Sequence, residues 1–312
     1  MSDRQQVNLN KIGTEQRNPR TTEIDTLGSL DIVRLINQED QAVITAIEAA
    51  SESIARAIDA ITSTLKSGGR LVYIGAGTSG RLGVLDASEC LPTFGVGEEM
   101  VIGLIAGGDR ALRNPVEAAE DSTDAVIRDL DAIGFNEKDI LCAIASSGRT
   151  PYCVGGLHYA TKLGAKSIAL ACVSMSEIGQ LADFPIEAVV GEEVITGSTR
   201  MKSGSAQKMI LNMLSTGAMI QLGKVYSNLM VDVRSTNEKL IERSRRMLMD
   251  ATDCTYDEAV ALLIASKQHV KSAIVMYLLS LDYAAATALL AKHEGHIRRL
   301  LQAEMPAIDR GI

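Results

Sequence analysis

Residues 41–66 read QAVITAIEAASESIARAIDAITSTLK, with apolar residues recurring at steps of three and four. That period predicts an amphipathic helix, and Gly68-Gly69 supplies its stop. Helical character begins at Ser29, and beyond the glycines the period changes. Five short apolar runs follow, at residues 70–74, 100–106, 139–145, 166–173 and 186–190. Helical patterns separate them at residues 82–90, 114–130 and 151–163. Continuous apolar strands alternating with helices predict an α/β fold, a parallel five-stranded sheet with helices on both faces. A helix rich in Met, Leu and Ala is predicted from Arg200 to about Leu222. It is too apolar for a solvated helix, so it is expected to pack on the sheet or on a partner subunit. After Asp250 the pattern shortens: Thr255-Tyr256-Asp257-Glu258 is a capping-box signature, and about three short helices run on to Gln302. The expected division is a polar arm over residues 1–28, a main domain over 29–248 and a small helical C-terminal subdomain over 249–312.

Composition narrows the class. The 312 residues carry 31 basic and 39 acidic side chains, a net charge of −8. That balance excludes a general nucleic-acid or anionic-membrane binder, which needs a positive field, and leaves room only for a local cationic pocket. The N-terminal stretch MSDRQQVNLNKIGTEQRNPR lacks the apolar core of a signal peptide, and no apolar run approaches the roughly 18 residues of a membrane span. Cys90, Cys142, Cys153, Cys172 and Cys254 are odd in number and scattered, as expected of reduced, buried thiols in a cytoplasmic protein. His158, His269, His293 and His296 fit no zinc spacing with them, so no metal and no cofactor is expected.

The chemistry concentrates in loops. YIGAGTSGR, at residues 73–81, follows the first apolar run and opens a helix, and its Gly75, Gly77 and Gly80 satisfy G-x-G-x-x-G. A dinucleotide site also wants an acid about 20 residues further on, for the ribose. Residues 92–96 contain none, and Asp109 lies well beyond the window. The loop instead carries adjacent hydroxyls, Thr78 and Ser79. A second loop of the same kind, ASSGRTP at residues 145–151, follows the third apolar run. Two Ser/Thr/Gly loops at the carboxyl ends of parallel strands suit a phosphomonoester, whose oxygens accept from helix N-terminal N–H groups and short hydroxyls. Gly77, Thr78, Ser79, Gly80, Ser146, Ser147, Gly148 and Thr150 are the expected donors. A third polar stretch, TGSTRMKSGS at residues 196–205, also precedes a helix. Arg200 and Lys202 there oppose the helix dipole, so they are expected to face a ligand or a subunit interface, with Ser198 beside them.

The two loops resemble those of the sugar isomerase (SIS) domain. The longer strings LDASEC (85–90), PTFG (92–95), GLIAGG (103–108), VEAAED (116–121), TGSTRMK (196–202) and NLMVD (228–232) make the chain, from about Thr22 to Ile297, similar to the N-acetylmuramic acid 6-phosphate etherases and their relative, the glucokinase regulatory protein. The resemblance implies a flavodoxin-like three-layer sandwich that acts as a homodimer on a small sugar phosphate, with no nucleic acid or membrane involved. It also implies cleavage of the D-lactyl ether of N-acetylmuramic acid 6-phosphate by elimination and hydration. Glu120 carries over as the base at C2, and Glu89 as the acid to the departing lactate oxygen. Glu117, one turn before Glu120, is set aside only by the match to the AED string; Asp86 and Asp121 receive no role. Two alternatives share the fold: an aldose–ketose phosphosugar isomerase, and a non-catalytic sugar-phosphate sensor.

Overall fold

The computed structural model describes residues 13–233 and 238–305. The expected arm therefore lies partly outside the described residues, as does the end of the C-terminal subdomain. In chain order, the elements up to the sheet edge are α1 (Ser29–Ala49), α2 (Ser51–Lys66), β1 (Leu71–Gly75), α3 (Gly77–Phe94), β2 (Val101–Ile105), α4 (Arg110–Arg113), α5 (Ala125–Ala132), β3 (Ile140–Ile144), α6 (Pro151–Leu163), β4 (Lys166–Ala171), α7 (Glu177–Leu181) and β5 (Phe184–Glu187). They are followed by α8 (Lys202–Gln221), α9 (Glu238–Thr252), α10 (Tyr256–Ala265), α11 (Val270–Leu279), α12 (Tyr283–Lys292) and α13 (Ile297–Glu304).

All five strands pair in parallel, in the order β2-β1-β3-β4-β5. This is the doubly wound arrangement the alternating pattern predicted. Every residue of β1 and β3 is buried, as a sheet covered on both faces requires. Val72, Ile74, Leu141 and Ala143 pack with Val126 and Leu130 of α5 and Leu157 of α6. On the opposite face Tyr73 meets α3, where its hydroxyl donates to Asp86 at 2.9 Å.

Two expected elements are corrected. The helix expected over residues 114–130 does not form as one piece. Pro115 pushes Asn114 into the extended region (φ −127°, ψ 142°), and Ala118 is left-handed (φ 56°), so no helix propagates until α5. The last strand spans Phe184–Glu187 rather than residues 186–190. Ala188 and Val190 are buried beyond the named strand, and the Ala188 N–H still donates to the Ala171 carbonyl of β4.

The described residues divide into two compact units, one of residues 13–88 and 99–215, the other of residues 89–98, 216–233 and 238–305. The boundary expected at residue 248 falls inside α9, whose Met247 and Leu248 share an apolar core with Leu263 of α10, Ile274 of α11 and Leu290 of α12. The second unit is thus larger than the sequence pattern suggested. Its α10 carries the full capping box expected at Thr255 and Glu258. No single helix among the described residues is long and apolar enough to cross a membrane. All five cysteines are free and buried, and burial pushes the Cys153 and Cys172 thiols up to about 12.

In the first unit the segment before α1 is tied down by polar contacts. Asn18 Nδ2 donates to Glu39 Oε2 at 2.7 Å, Arg20 Nη2 donates to the same oxygen at 2.9 Å, and Thr21 Oγ1 donates to the Val194 carbonyl. The Arg20 hydrogen bond, with help from Asn18 and Lys202, holds the Glu39 carboxyl at about 2. Lys202 is fully buried, and its Nζ lies 3.3 Å from Glu39. Glu39→Gln strands this ammonium without a counter-charge, and a buried ion stripped of its partner costs about 3–5 kcal/mol. Urea unfolding at pH 7 is expected to show that loss. Lys202→Met should cost less, because Glu39 keeps Arg20 and Asn18.

Candidate functional site

In a doubly wound sheet, ligands bind outside the carboxyl ends of the strands where the order reverses. Here the reversal lies between β1 and β3, which are adjacent, with Gly75 in register with Ile144. The loops leaving these two strands are the two hydroxyl-rich loops, and parallel pairing sets them side by side. The first turns sharply because Gly75 and Gly80 touch: a Cβ on Gly80 would lie 2.5 Å from the Gly75 carbonyl oxygen. In the second, Gly148 is left-handed (φ 69°), and a Cβ there would strike Ser176 at 2.4 Å.

The loops are joined by a residue that sequence reasoning missed. Gln207, fully buried on α8, accepts from Ser79 Oγ at 2.9 Å and donates from Nε2 to Ser146 Oγ at 3.0 Å. Its signal was its place beside the buried stripe Ser203, Ala206, Ile210, Leu214 of α8. Of the other expected donors, Ser147 and Thr150 are half-buried. Thr150 precedes α6 without making a side-chain cap bond, and Pro151 takes the first helical position. Thr78 lines a cleft of about 410 Å3 together with Leu82, Arg200, Gly204, Ser205, Lys208 and Met209. The cations there are Arg200 and Lys208, and Lys208 was not among the expected residues.

The third polar stretch behaves differently. Glu193, fully buried, accepts the backbone N–H groups of Lys202 and Ser203 at 2.9 Å each, so the fold's own carboxylate occupies the start of α8. The expectation that Lys202 meets a ligand is corrected: its ammonium is inside the chain, against Glu39. Ser198 is half-buried in the preceding turn, where its N–H donates to the Ile195 carbonyl.

The two expected carboxyls are both exposed. Glu89 lies on α3, one turn beyond Asp86. Glu120 is not in a helix, as the pattern implied, but in a 3-10 turn, Ala119–Asp121, that packs against α6. There its charge adds to the burial that raises Cys153 in the first turn of α6. A third carboxyl, Asp86, is held differently. It is buried, accepts from Tyr73 Oη and from Ser215 Oγ at 3.1 Å, and burial pushes it up to about 6. With its amide turned to satisfy both ends, Asn212 accepts from Lys208 Nζ at 3.0 Å and donates to Asp86 Oδ1 at 3.2 Å. Among the described residues no cluster of His, Cys, Asp or Glu is arranged to hold a metal ion.

These loops and this strand order define a SIS-domain protein. A family model described as the SIS domain matches residues 114–217, and one described as the glucokinase regulatory protein N-terminal SIS domain matches residues 52–161. N-acetylmuramic acid 6-phosphate etherase 2 of Vibrio cholerae serotype O1 is 54% identical over 294 residues, 94% of this chain and 96% of that protein. The N-acetylmuramic acid 6-phosphate etherases of Actinobacillus pleuropneumoniae serotype 5b and Cronobacter sakazakii are each 52% identical, over 94% and 95% of this chain and 96% and 100% of their own lengths. This chain belongs to the N-acetylmuramic acid 6-phosphate etherase family.

The raised Asp86 has a signed consequence for stability. Its ordinary value is near 3.8, so between about pH 4 and 6 the folded chain keeps a proton that the unfolded chain has released. This group therefore withdraws stability as pH rises through that window, by at most about 3 kcal/mol. Asp86→Asn removes the titration. Urea unfolding from pH 4 to 7 should show the variant gaining on the wild type up to about pH 6 and then running parallel to it; a flat difference would exclude a raised Asp86.

Proposed function

We propose that this protein cleaves the D-lactyl ether of N-acetylmuramic acid 6-phosphate, consuming water and giving N-acetylglucosamine 6-phosphate and D-lactate. The observation that carries the reading is identity above 50% with etherases over almost the whole chain, joined to a pair of bridged hydroxyl loops at the sheet's switch point. The loops hold the 6-phosphate. Helix N-terminal N–H groups and neutral hydroxyls bind a dianion without a dense cluster of lysines, in keeping with a chain of net charge −8.

The reaction requires proton removal alpha to a carbonyl and expulsion of an alkoxide. In the ring-opened sugar the C1 aldehyde acidifies the C2 proton. Glu120 takes that proton, the C3–O bond breaks, and Glu89 protonates the departing lactate oxygen. Water then adds at C3 of the unsaturated aldehyde, and a proton returns to C2. Exposure of both carboxyls suits groups that must meet a substrate from solvent. Thr78, Ser147 and Thr150 complete the phosphate contacts. The protein works as a homodimer, for which the exposed Leu30, Val33 and Ile44 of α1 and Leu85 of α3 offer apolar surface. Five free, buried cysteines favour the cytoplasm.

Incubation with N-acetylmuramic acid 6-phosphate, without added metal or nucleotide, should release D-lactate. Glu120→Ala should abolish exchange of the C2 hydrogen with solvent, whereas Glu89→Ala should impair lactate release more than exchange. Sugar-phosphate binding without lactate would point to a sensor. Wild-type turnover in both variants would remove the two glutamates from the chemistry.

A further inference from the structure

The cleft between α3 and the start of α8 holds two cations without ion-pair partners. Arg200 and Lys208 both line it and both are exposed, and among the described residues no carboxylate comes within salt-bridge distance of either. Lys208 is aimed rather than loose. Its Nζ donates to the Asn212 amide oxygen at 3.0 Å, and partners that work one way only fix the sense of that amide: an ammonium donates, and the Lys208 carbonyl, 3.2 Å from the Asn212 nitrogen, accepts. An ammonium has three protons, so the others remain for a ligand. The walls beside the cations are apolar, Leu82 from α3 and Met209 from α8. Gly204 stands in the first turn of α8, where alanine would suit a helix better, and a Cβ there would lie 3.5 Å from Thr78 Cγ2; the glycine leaves that width to the cleft. Thr78 belongs to this cleft and to the first hydroxyl loop, so the cleft adjoins the site given to the phosphate.

A ligand suited to such a cleft carries an anion on a short aliphatic group, with a phosphate elsewhere in the same molecule. N-acetylmuramic acid 6-phosphate has that second anion: the lactyl carboxylate, on the carbon that also bears a methyl group and the ether oxygen. We infer that Lys208 and Arg200 form a carboxylate subsite, and that they, rather than the phosphate loops, distinguish the lactyl-bearing sugar phosphate from N-acetylglucosamine 6-phosphate. The planar fork of Arg200 and the point charge of Lys208 take the carboxylate, and Leu82 and Met209 take the lactyl methyl. The inference rests on the proposed substrate and not on the elimination steps or the two glutamates.

The test compares three compounds on the full chain. Initial rates give kcat and KM for N-acetylmuramic acid 6-phosphate and for its neutral lactyl amide, and titration calorimetry gives Kd for N-acetylglucosamine 6-phosphate. A hydrogen bond between charged groups is worth about tenfold or more, so the wild type should prefer the acid to the amide by at least about tenfold, chiefly in KM. Lys208→Met and Arg200→Met should each raise KM for the acid by about tenfold and shrink the preference for it over the amide, because the charges removed from protein and ligand are coupled. Both variants should leave Kd for N-acetylglucosamine 6-phosphate nearly unchanged, and Lys208→Arg should recover the preference that Lys208→Met loses. Equal losses on the acid and on N-acetylglucosamine 6-phosphate would assign the cations to the phosphate and overturn the inference. A wild type that treats acid and amide alike would also overturn it, and that comparison needs no variant to fold. If the wild type releases no D-lactate, calorimetry reads all three compounds: preference for the acid over the amide then supports the subsite while only the lyase reading falls, and binding of none of them overturns both.

Discussion

The parallel pairing of β1 with β3 is the constraint from which the site follows. Each strand must deliver its chain to a helix at the same end of the sheet, and because the order reverses between these two strands, their helices leave on opposite faces. The loops above them are therefore adjacent, with a crevice between. Register carries this to atomic detail. Gly75 and Ile144 lie level, so the loops begin at the same height, within reach of one glutamine on α8. A slip of one residue would turn every side chain of the strand to the other face and separate the serines.

Around that crevice the fold divides its polar groups between structural and chemical duties. Glu39, Lys202 and Glu193 are buried and satisfied, respectively by Arg20 and Asn18, by Glu39, and by the first N–H groups of α8. A charge taken from water needs this degree of compensation, and such groups are then unavailable to a ligand. Glu89 and Glu120 stay exposed, while Thr78 and Arg200 face a cleft. Asp86 lies between these extremes. It is buried with neutral donors and one nearby lysine, which explains a carboxyl that ionises only near pH 6.

Much of this was legible from residue order. The apolar runs located all five strands, and the class of sheet followed from their continuity, because a strand covered on both faces has no polar alternation to show. The two hydroxyl loops were visible as Ser, Thr and Gly at strand ends. One reading failed for a local backbone reason and another for a long-range one. Apolar spacing over residues 114–130 mimicked a helix, but Pro115 and a left-handed Ala118 break it, which moved Glu120 from a helix to a 3-10 turn. Lys202 looked like a ligand-facing cation because it stands at a helix start, where a positive charge is unfavourable. Its partner is Glu39, 163 residues away in the chain, and no local pattern reports such a contact.

Sequence alone determined the alternation of strands and helices, the hydroxyl-rich character of the two loops, and, through whole-chain likeness, the family. Each of these is written in short-range spacing or in strings of adjacent residues. Tertiary structure decided which polar residues serve the fold and which face the crevice. Ser79, Ser146 and Gln207 meet only when β1, β3 and α8 are packed together. Those three side chains stand far apart in the sequence, and only the packed fold brings them within hydrogen-bond reach.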